Sequence, residues 1–123
     1  METVIETRSQ RARENDRRRR HKLMTAELRR RIPPLRGQES QGNEAMVYAK
    51  FFTPMGPFTW YVTEFDGDDT FFGLVDCVER EWGYFSLQEL SELRHTLGQA
   101  WIPAVERDKF WRPKRACDLG QYD

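Results

Sequence analysis

Thr59-Trp60-Tyr61-Val62-Thr63-Glu64-Phe65, Asp66-Gly67-Asp68-Asp69 and Phe71-Phe72-Gly73-Leu74-Val75 follow one another almost without a break. The two outer runs are rich in β-branched and aromatic residues, which fit a pleated surface. The acidic, Gly-containing tetrapeptide between them is a turn signal, so residues 59–75 predict a β-hairpin. Upstream lies another apolar run, Val47-Tyr48-Ala49-Lys50-Phe51-Phe52, separated from the hairpin by Thr53-Pro54-Met55-Gly56-Pro57. Such short connections favour antiparallel neighbours. A three-stranded antiparallel sheet is therefore expected, with strands at 47–52, 59–65 and 71–75. Strict alternation in the second strand puts Trp60, Val62 and Glu64 on one face and Tyr61, Thr63 and Phe65 on the other. Neither set is purely polar, so both faces are expected to be covered at least in part, one by helices and the other by loops or a partner.

Downstream, Gly83-Tyr84-Phe85-Ser86-Leu87-Gln88-Glu89-Leu90 carries a helix start. Ser86 and Glu89 have the spacing of a capping box, with Phe85 and Leu90 at the positions of a hydrophobic staple. Leu87, Leu90, Leu93 and Leu97 form one apolar stripe and Gly98 stands where a helix stops, which predicts a helix over 87–97. His95 would then lie near that helix's C-terminal carbonyls. Upstream, Thr25 is an N-cap candidate for a short helix at 26–32, ended by Pro33-Pro34. Leu35 to Ala45 reads as a loop. The tail from Ile102 to Tyr122 leaves two forms open, a short strand or a wrap around the domain.

The chain has 123 residues, enough for one domain. Its net charge of zero hides a division. Residues 1–36 carry 12 Lys/Arg against 5 acids, a net +7, and the remainder carries −7. Residues 1–20 hold almost no large apolar side chains, a composition that does not repay the entropy of ordering. The expected organisation is a basic, disordered arm over 1–22 and one α+β domain over 23–123, with a short N-terminal helix, the three-stranded sheet and one capped helix packed on it. No apolar run approaches the roughly 20 residues of a membrane helix, and no secretory leader pattern occurs. Cys77 and Cys117 have neither a CxxC nor a zinc spacing. Of the two states open to them, one disulfide or two free thiols in a reducing cytoplasm, free thiols are expected.

Six stretches carry a resemblance: Leu23–Leu28 leading to Ile32-Pro33-Pro34-Leu35, Val47–Pro54, Trp60–Asp66, Phe71–Asp76, Gly83–Leu90 and Pro103–Asp108. Through them, in order over most of residues 23–113, the chain resembles a small bacterial family known only as a domain of unknown function and met on plasmids, integrated elements and phages. The resemblance implies a setting, that of accessory proteins of mobile elements. It implies no active site. The arm at 1–22 lies outside it.

Three functional readings are weighed. The first is a non-enzymatic interaction protein that binds a host or element-encoded protein, an inhibitor of host defence being a member of that class. Its signature would be an exposed aromatic patch near Trp60 or Trp111 with acidic surroundings. The second is nonspecific nucleic-acid contact through Arg17, Arg18, Arg19, Arg20 and Lys22, where cations neutralise phosphates without reading bases. The competing reading of that run is a tail that aids solubility or folds on an acidic protein surface, the chain's own domain included. The third is a small metal-dependent hydrolase using Glu64, Asp66 or Asp76, which needs at least two of them in one pocket.

The ordinary meaning of the Asp66–Asp69 acids is a polar turn. The ordinary meaning of the rings at Phe51, Phe52, Phe58, Trp60, Tyr61, Phe65, Phe71, Phe72, Tyr84 and Phe85 is core packing. Rings on a sheet can also stack on bases, but no RNP-type pattern is present and Lys50 is the one basic residue on these strands. No phosphate loop, nucleophile elbow or metalloprotease helix occurs. No cofactor or metal is implied, and the first reading is the one preferred.

Overall fold

The computed structural model describes residues 6–123, so residues 1–5 of the expected arm lie outside the described residues. The chain runs through α1 (Arg8–Arg19), α2 (Ala26–Arg31), a 3-10 segment (Glu39–Glu44), β1 (Met46–Val47), β2 (Ala49–Phe52), β3 (Thr59–Phe65), β4 (Thr70–Asp76) and β5 (Arg80–Ser86). It continues through α3 (Leu87–Glu92), β6 (Arg94–Leu97), β7 (Ala100–Pro103), β8 (Glu106–Arg107), β9 (Lys114–Arg115) and a last 3-10 turn (Ala116–Asp118).

The expected mixed α+β architecture is present. The sheet is larger than expected, with five antiparallel strands in the order β5-β4-β3-β2-β8. The sequence reading missed β5, whose Arg80, Glu81 and Gly83 dilute the apolar signal. It sits at the sheet edge, where charged and glycine positions are tolerated because one side of the strand faces water. The run expected as one strand over 47–52 breaks at Tyr48, and β1 pairs instead with β9 from the tail.

A register slip in β3 decides which residues share a face. Trp60 pairs with Val75, Tyr61 with Leu74 and Val62 with Gly73, after which Glu64 opposes Phe72 and Phe65 opposes Phe71. Directly opposed residues lie on the same side of a sheet. One extra residue, Thr63, therefore reverses the alternation. Phe65 rejoins Trp60 and Val62, and Glu64 crosses to the side of Tyr61. This corrects the expected face assignment. Beside the slip, the Thr63 hydroxyl donates to the Phe72 carbonyl at 3.0 Å. A Cβ at Gly73 would lie 1.8 Å from the Tyr61 carbonyl oxygen, so the close approach requires glycine.

One side of the sheet holds the main core: Ala49, Phe51, Trp60, Val62, Phe65 and Phe71 pack against Leu23, Met24, Ile32, Leu90, Ala104 and Val105. Phe71 is fully buried and meets Phe65, Phe85 and Phe51 at ring-centroid distances of 4.5, 5.2 and 5.5 Å. A ring buried to this degree stabilises by roughly 1.5–3 kcal/mol. The other side holds a smaller cluster, Val47, Tyr61 and Leu74, covered by Trp111, Ala116 and Leu119 from the tail.

Both expected helices form, one of them shorter. Thr25 caps α2 through a bond from the Leu28 N–H. Ser86 caps α3 by accepting from the Glu89 N–H, the half of the expected capping box that forms, but α3 ends at Glu92 rather than at residue 97. Leu93 is already extended, and its carbonyl accepts from the Ala104 N–H at 2.9 Å and from Asn15 Nδ2 at 3.3 Å. Partners distant in sequence draw that carbonyl out of the helical ladder. The rest of the expected stripe becomes the β6–β7 hairpin, with Gly98 in its turn at φ 65° and Leu93 and Leu97 exposed. His95 lies in β6, and its ring sits near Gly56. Asn15 and Arg11 bond the helix-end carbonyls of Ser91 and Glu92 in its place.

The arm is the largest departure. Residues expected to be disordered form α1, opened by a reciprocal cap between Thr7 and Gln10. Asn15 is fully buried against α3. Arg8 pairs with Glu92 at 2.9 Å, and Arg19 Nε donates to the Val105 carbonyl at 2.6 Å. Arg18 and Arg94 lie 4.1 and 3.6 Å from the Trp101 ring centroid. Composition carries no sign of this order because α1 is held by polar contacts to residues distant in sequence: Asn15 on the Ser91 carbonyl, Arg8 on Glu92 and Arg19 on the Val105 carbonyl. Cys77 and Cys117 are both free and exposed.

Candidate functional site

The second side of the sheet is covered only over part of its width. Toward its outer edge the register pairs Phe72 with Tyr84 and Leu74 with Trp82, which sets those four side chains on one face. The Phe72 ring stacks on Trp82 at 5.6 Å with 12° between planes, and meets Tyr84 at 4.9 Å and 54°. Tyr84 is 67% exposed and Trp82 38% exposed. The rings form a row supported by the rigid β4–β5 pair, with solvent on the other side.

Glu64 stands at one end of this row because the β3 slip turned it there. It is 4% exposed. The Arg36 N–H donates to Glu64 Oε1 at 2.8 Å, and the Gln38 N–H to Oε2 at 3.0 Å. Local chain geometry delivers both donors. The Gly37 N–H bonds the Pro34 carbonyl at 2.9 Å, closing a tight turn, and Arg36 takes a left-handed φ of 69°. The Phe65 N–H donates to the Pro33 carbonyl at 2.9 Å, tying that turn to the end of β3. Gln38 then locks the loop: its Nε2 donates to the Met46 and Thr63 carbonyls at 2.9 and 2.7 Å, and its Oε1 accepts from the Met46 N–H at 2.7 Å.

Between loop and rings lies a cleft of about 280 Å³, lined by Glu64, Phe72, Trp82 and Tyr84 together with Arg36 and Glu39. It therefore offers a row of π faces, a carboxylate at its floor and a fixed backbone wall. Among the described residues Glu64 makes no ion pair.

The residues singled out from sequence lie elsewhere. Trp60 is itself 7% exposed, and the ring it stacks on, Phe58, is the one that reaches solvent. Trp111 is half-buried in the tail, with its indole N–H on the Val47 carbonyl at 3.0 Å. In the basic run, Arg19 is buried against Asp16 and Val105, while Arg18 donates to the Trp101 carbonyl at 2.8 Å. Arg17, Arg20 and Lys22 are exposed and form no ion pair among the described residues. The arm thus meets its own domain, one of the alternatives weighed for it.

The acids are separated as well. Asp66 Oδ1 accepts from the N–H groups of Asp68, Asp69 and Thr70 at 2.8, 2.8 and 3.0 Å, and these bonds hold its carboxyl below the usual range. Asp69 Oδ1 and Oδ2 accept from the Gln88 N–H and the Ser86 hydroxyl, each at 2.7 Å, anchoring α3 to the hairpin turn. Asp76, at the far end of β4, pairs with Arg80 at 2.6 Å. Glu64, Asp66 and Asp76 go to three places. The hydrolase reading required two of them in one pocket.

Sequence reading missed Trp82 and placed Phe72 and Tyr84 among core rings. A usable signal existed: Trp82-Gly83-Tyr84 alternates as an edge strand does, with both rings on one face. The sequence profile of one family, described as "Protein of unknown function (DUF2958)", matches residues 19–122. The matched span takes in the whole sheet and the aromatic cleft and leaves almost all of α1 before it. No curated protein and no solved structure matches the chain.

Proposed function

The chain belongs to the DUF2958 family of proteins of unknown function, and from that premise we propose that it is a protein-binding module whose contact surface is the cleft of Phe72, Trp82 and Tyr84. One observation carries the proposal: two large rings stand open to solvent on a rigid strand pair beside a third. Aromatic side chains held in this way supply contact area at low entropic cost, and they dominate protein interfaces. The proposal extends to the setting that the resemblance implies. The protein would be a mobile-element accessory protein whose target is encoded by the host or the element, with inhibition of host defence as one form of that role.

The expected signature moves from Trp60 and Trp111 to Phe72, Trp82 and Tyr84, with Glu64 and Glu39 as its acidic surroundings. The test is nuclease-treated affinity capture with the full chain and with W82A/Y84A. Specific protein partners are expected on the parent and lost from the double variant. An identical bound set on both would place the contact elsewhere.

The second reading, nucleic-acid contact through the arm, retains Arg17, Arg20 and Lys22 as exposed cations. It predicts oligonucleotide binding that falls steeply with salt and disappears in R17E/R20E. Binding that survives that variant would remove the arm from the reading.

A further inference from the structure

The next inference rests on the proposed contact surface and names the chemistry that fills it. A carboxylate nine-tenths or more buried is ordinarily matched by a cation, because desolvation of an isolated charge is costly. Glu64 has two backbone N–H donors and, among the described residues, no ion-pair partner. It lines a cleft whose other walls are Phe72, Trp82 and Tyr84, and aromatic faces are themselves electrostatically negative. Glu39 adds a second acid to the lining, and Arg36 is the one cation there, an exposed residue whose guanidinium pairs with neither acid among the described residues. The volume, about 280 Å³, lies just under the roughly 300–1,000 Å³ of small-molecule pockets and suits a single side chain.

We propose that the cleft receives an arginine side chain of a protein partner. A guanidinium is planar, stacks on aromatic faces and donates through a fork to carboxylate oxygens, whereas an ammonium is a compact, strongly hydrated charge. Stacking over Trp82 or Tyr84 directs the fork toward Glu64. The chain uses the same chemistry within its own fold. Arg94 lies 3.6 Å from the Trp101 ring centroid while its Nε donates to Asn15 Oδ1 at 2.8 Å, and its terminal nitrogens approach Glu6 and Glu14 at 3.4 and 3.5 Å. At Trp101 the ring, the acid and the arginine are all present. At Trp82 the ring and the acid are present, and the one arginine of the lining, Arg36, lies on neither among the described residues. A single-stranded nucleic acid fits less well, since stacking platforms for bases run beside a basic track, and this cleft has one arginine against two acids.

The experiment titrates the full chain with blocked Gly-Ser peptides carrying one central arginine, lysine, citrulline or glutamate, and separately with oligothymidine. The readout is the Trp82 indole N–H resonance, assigned by its loss in W82F. The arginine peptide is expected to shift that signal, with citrulline, its uncharged isostere, binding about tenfold more weakly. Y84A should weaken the arginine peptide about fivefold with the fold unchanged, and E64Q should erase the preference for arginine over citrulline. Equal binding of arginine and citrulline would overturn the proposal. So would a Trp82 response to oligothymidine or the glutamate peptide in place of arginine, silence of Trp82 toward every peptide, or a folded E64Q that keeps the preference. Should E64Q fail to fold, citrulline and Y84A decide. Loss of captured partners in W82A/Y84A without any arginine preference would leave the contact surface standing and remove its occupant.

Discussion

The two sides of the one sheet are built from the same kind of residue and end in opposite states. On the closed side Phe71 meets three rings at 4.5–5.5 Å and has no exposed surface. On the open side Phe72, its neighbour in β4, meets two rings at 4.9 and 5.6 Å, yet Tyr84 remains 67% exposed. Ring-to-ring spacing is nearly equal. The difference is the cover. The segment around Leu23 and Ile32, together with Leu90, Ala104 and Val105, lies across the first side. The second is met by the tail at Tyr61 and Leu74 and by the 36–38 loop at Glu64, and these leave the outer strands bare. Aromatic clustering therefore shows that rings pack on one another. It does not show that they are buried.

The comparison is broken most strongly at its closed half. Phe71→Ala should cost about 3–5 kcal/mol in denaturant unfolding, the usual result of emptying a packed ring site. A loss below about 1 kcal/mol would mean that the two sides are not energetically distinct. Gly73→Ala attacks the slip that separates them. Its Cβ meets the Tyr61 carbonyl at 1.8 Å, so overpacking should cost about 1–3 kcal/mol, with resonance changes at Thr63 and Glu64 exceeding those at Trp101.

Asn15→Ala tests whether α1 is part of the closed structure. Leaving the Ser91 carbonyl without its donor should cost about 1–3 kcal/mol, seen as faster hydrogen exchange in α1 before the sheet is affected.

Acidification probes a neighbouring contact, that of His21 with the Arg107 N–H of β8, more gently. Burial first, then Arg107, Lys109 and Arg19, lower the His21 pKa from an ordinary 6.5 to about 4. Between those values the unfolded chain binds the extra proton, so stability falls as pH drops from 6.5 toward 4. Wild type should lose more of its urea midpoint over that window than H21Q, whose amide oxygen can still accept from the Arg107 N–H. Parallel pH profiles would contradict the lowered pKa of the half-buried His21. The smallest stability effect is expected on the open side: Tyr84→Ala should stay within about 0.5 kcal/mol of wild type while partner capture weakens.

Much of this was legible in the chain. The hairpin over 59–75 and the caps at Thr25 and Ser86 follow from local chemistry that acts within a few residues. The cleft was less so. Phe72 was visible as a strand ring and Tyr84 as a ring near the strands, but whether a ring faces a core or water depends on what crosses over it, and the covering residues come from 23–45, from Leu90 and from 104–119. Glu64 was placed on the wrong side because a bulge adds one residue, and alternation carries no mark of where that residue enters. The arm was misread for a related reason. Its composition forbids a core of its own, but Asn15 and Arg11 end a helix nearly 80 residues away, and the Arg18 and Arg94 guanidiniums lie on one indole.

By itself the sequence determined the α+β class, the turns, the capped helix starts and the division of charge, because each depends on propensities and contacts between near neighbours. Tertiary structure alone decided the face of Glu64, the length of α3, the docking of α1 and the exposure of Trp82 and Tyr84. The physical reason is common to all four. Each depends on which segments approach through space and which surfaces they leave uncovered, so its energy appears only once chain segments distant in sequence have been brought together.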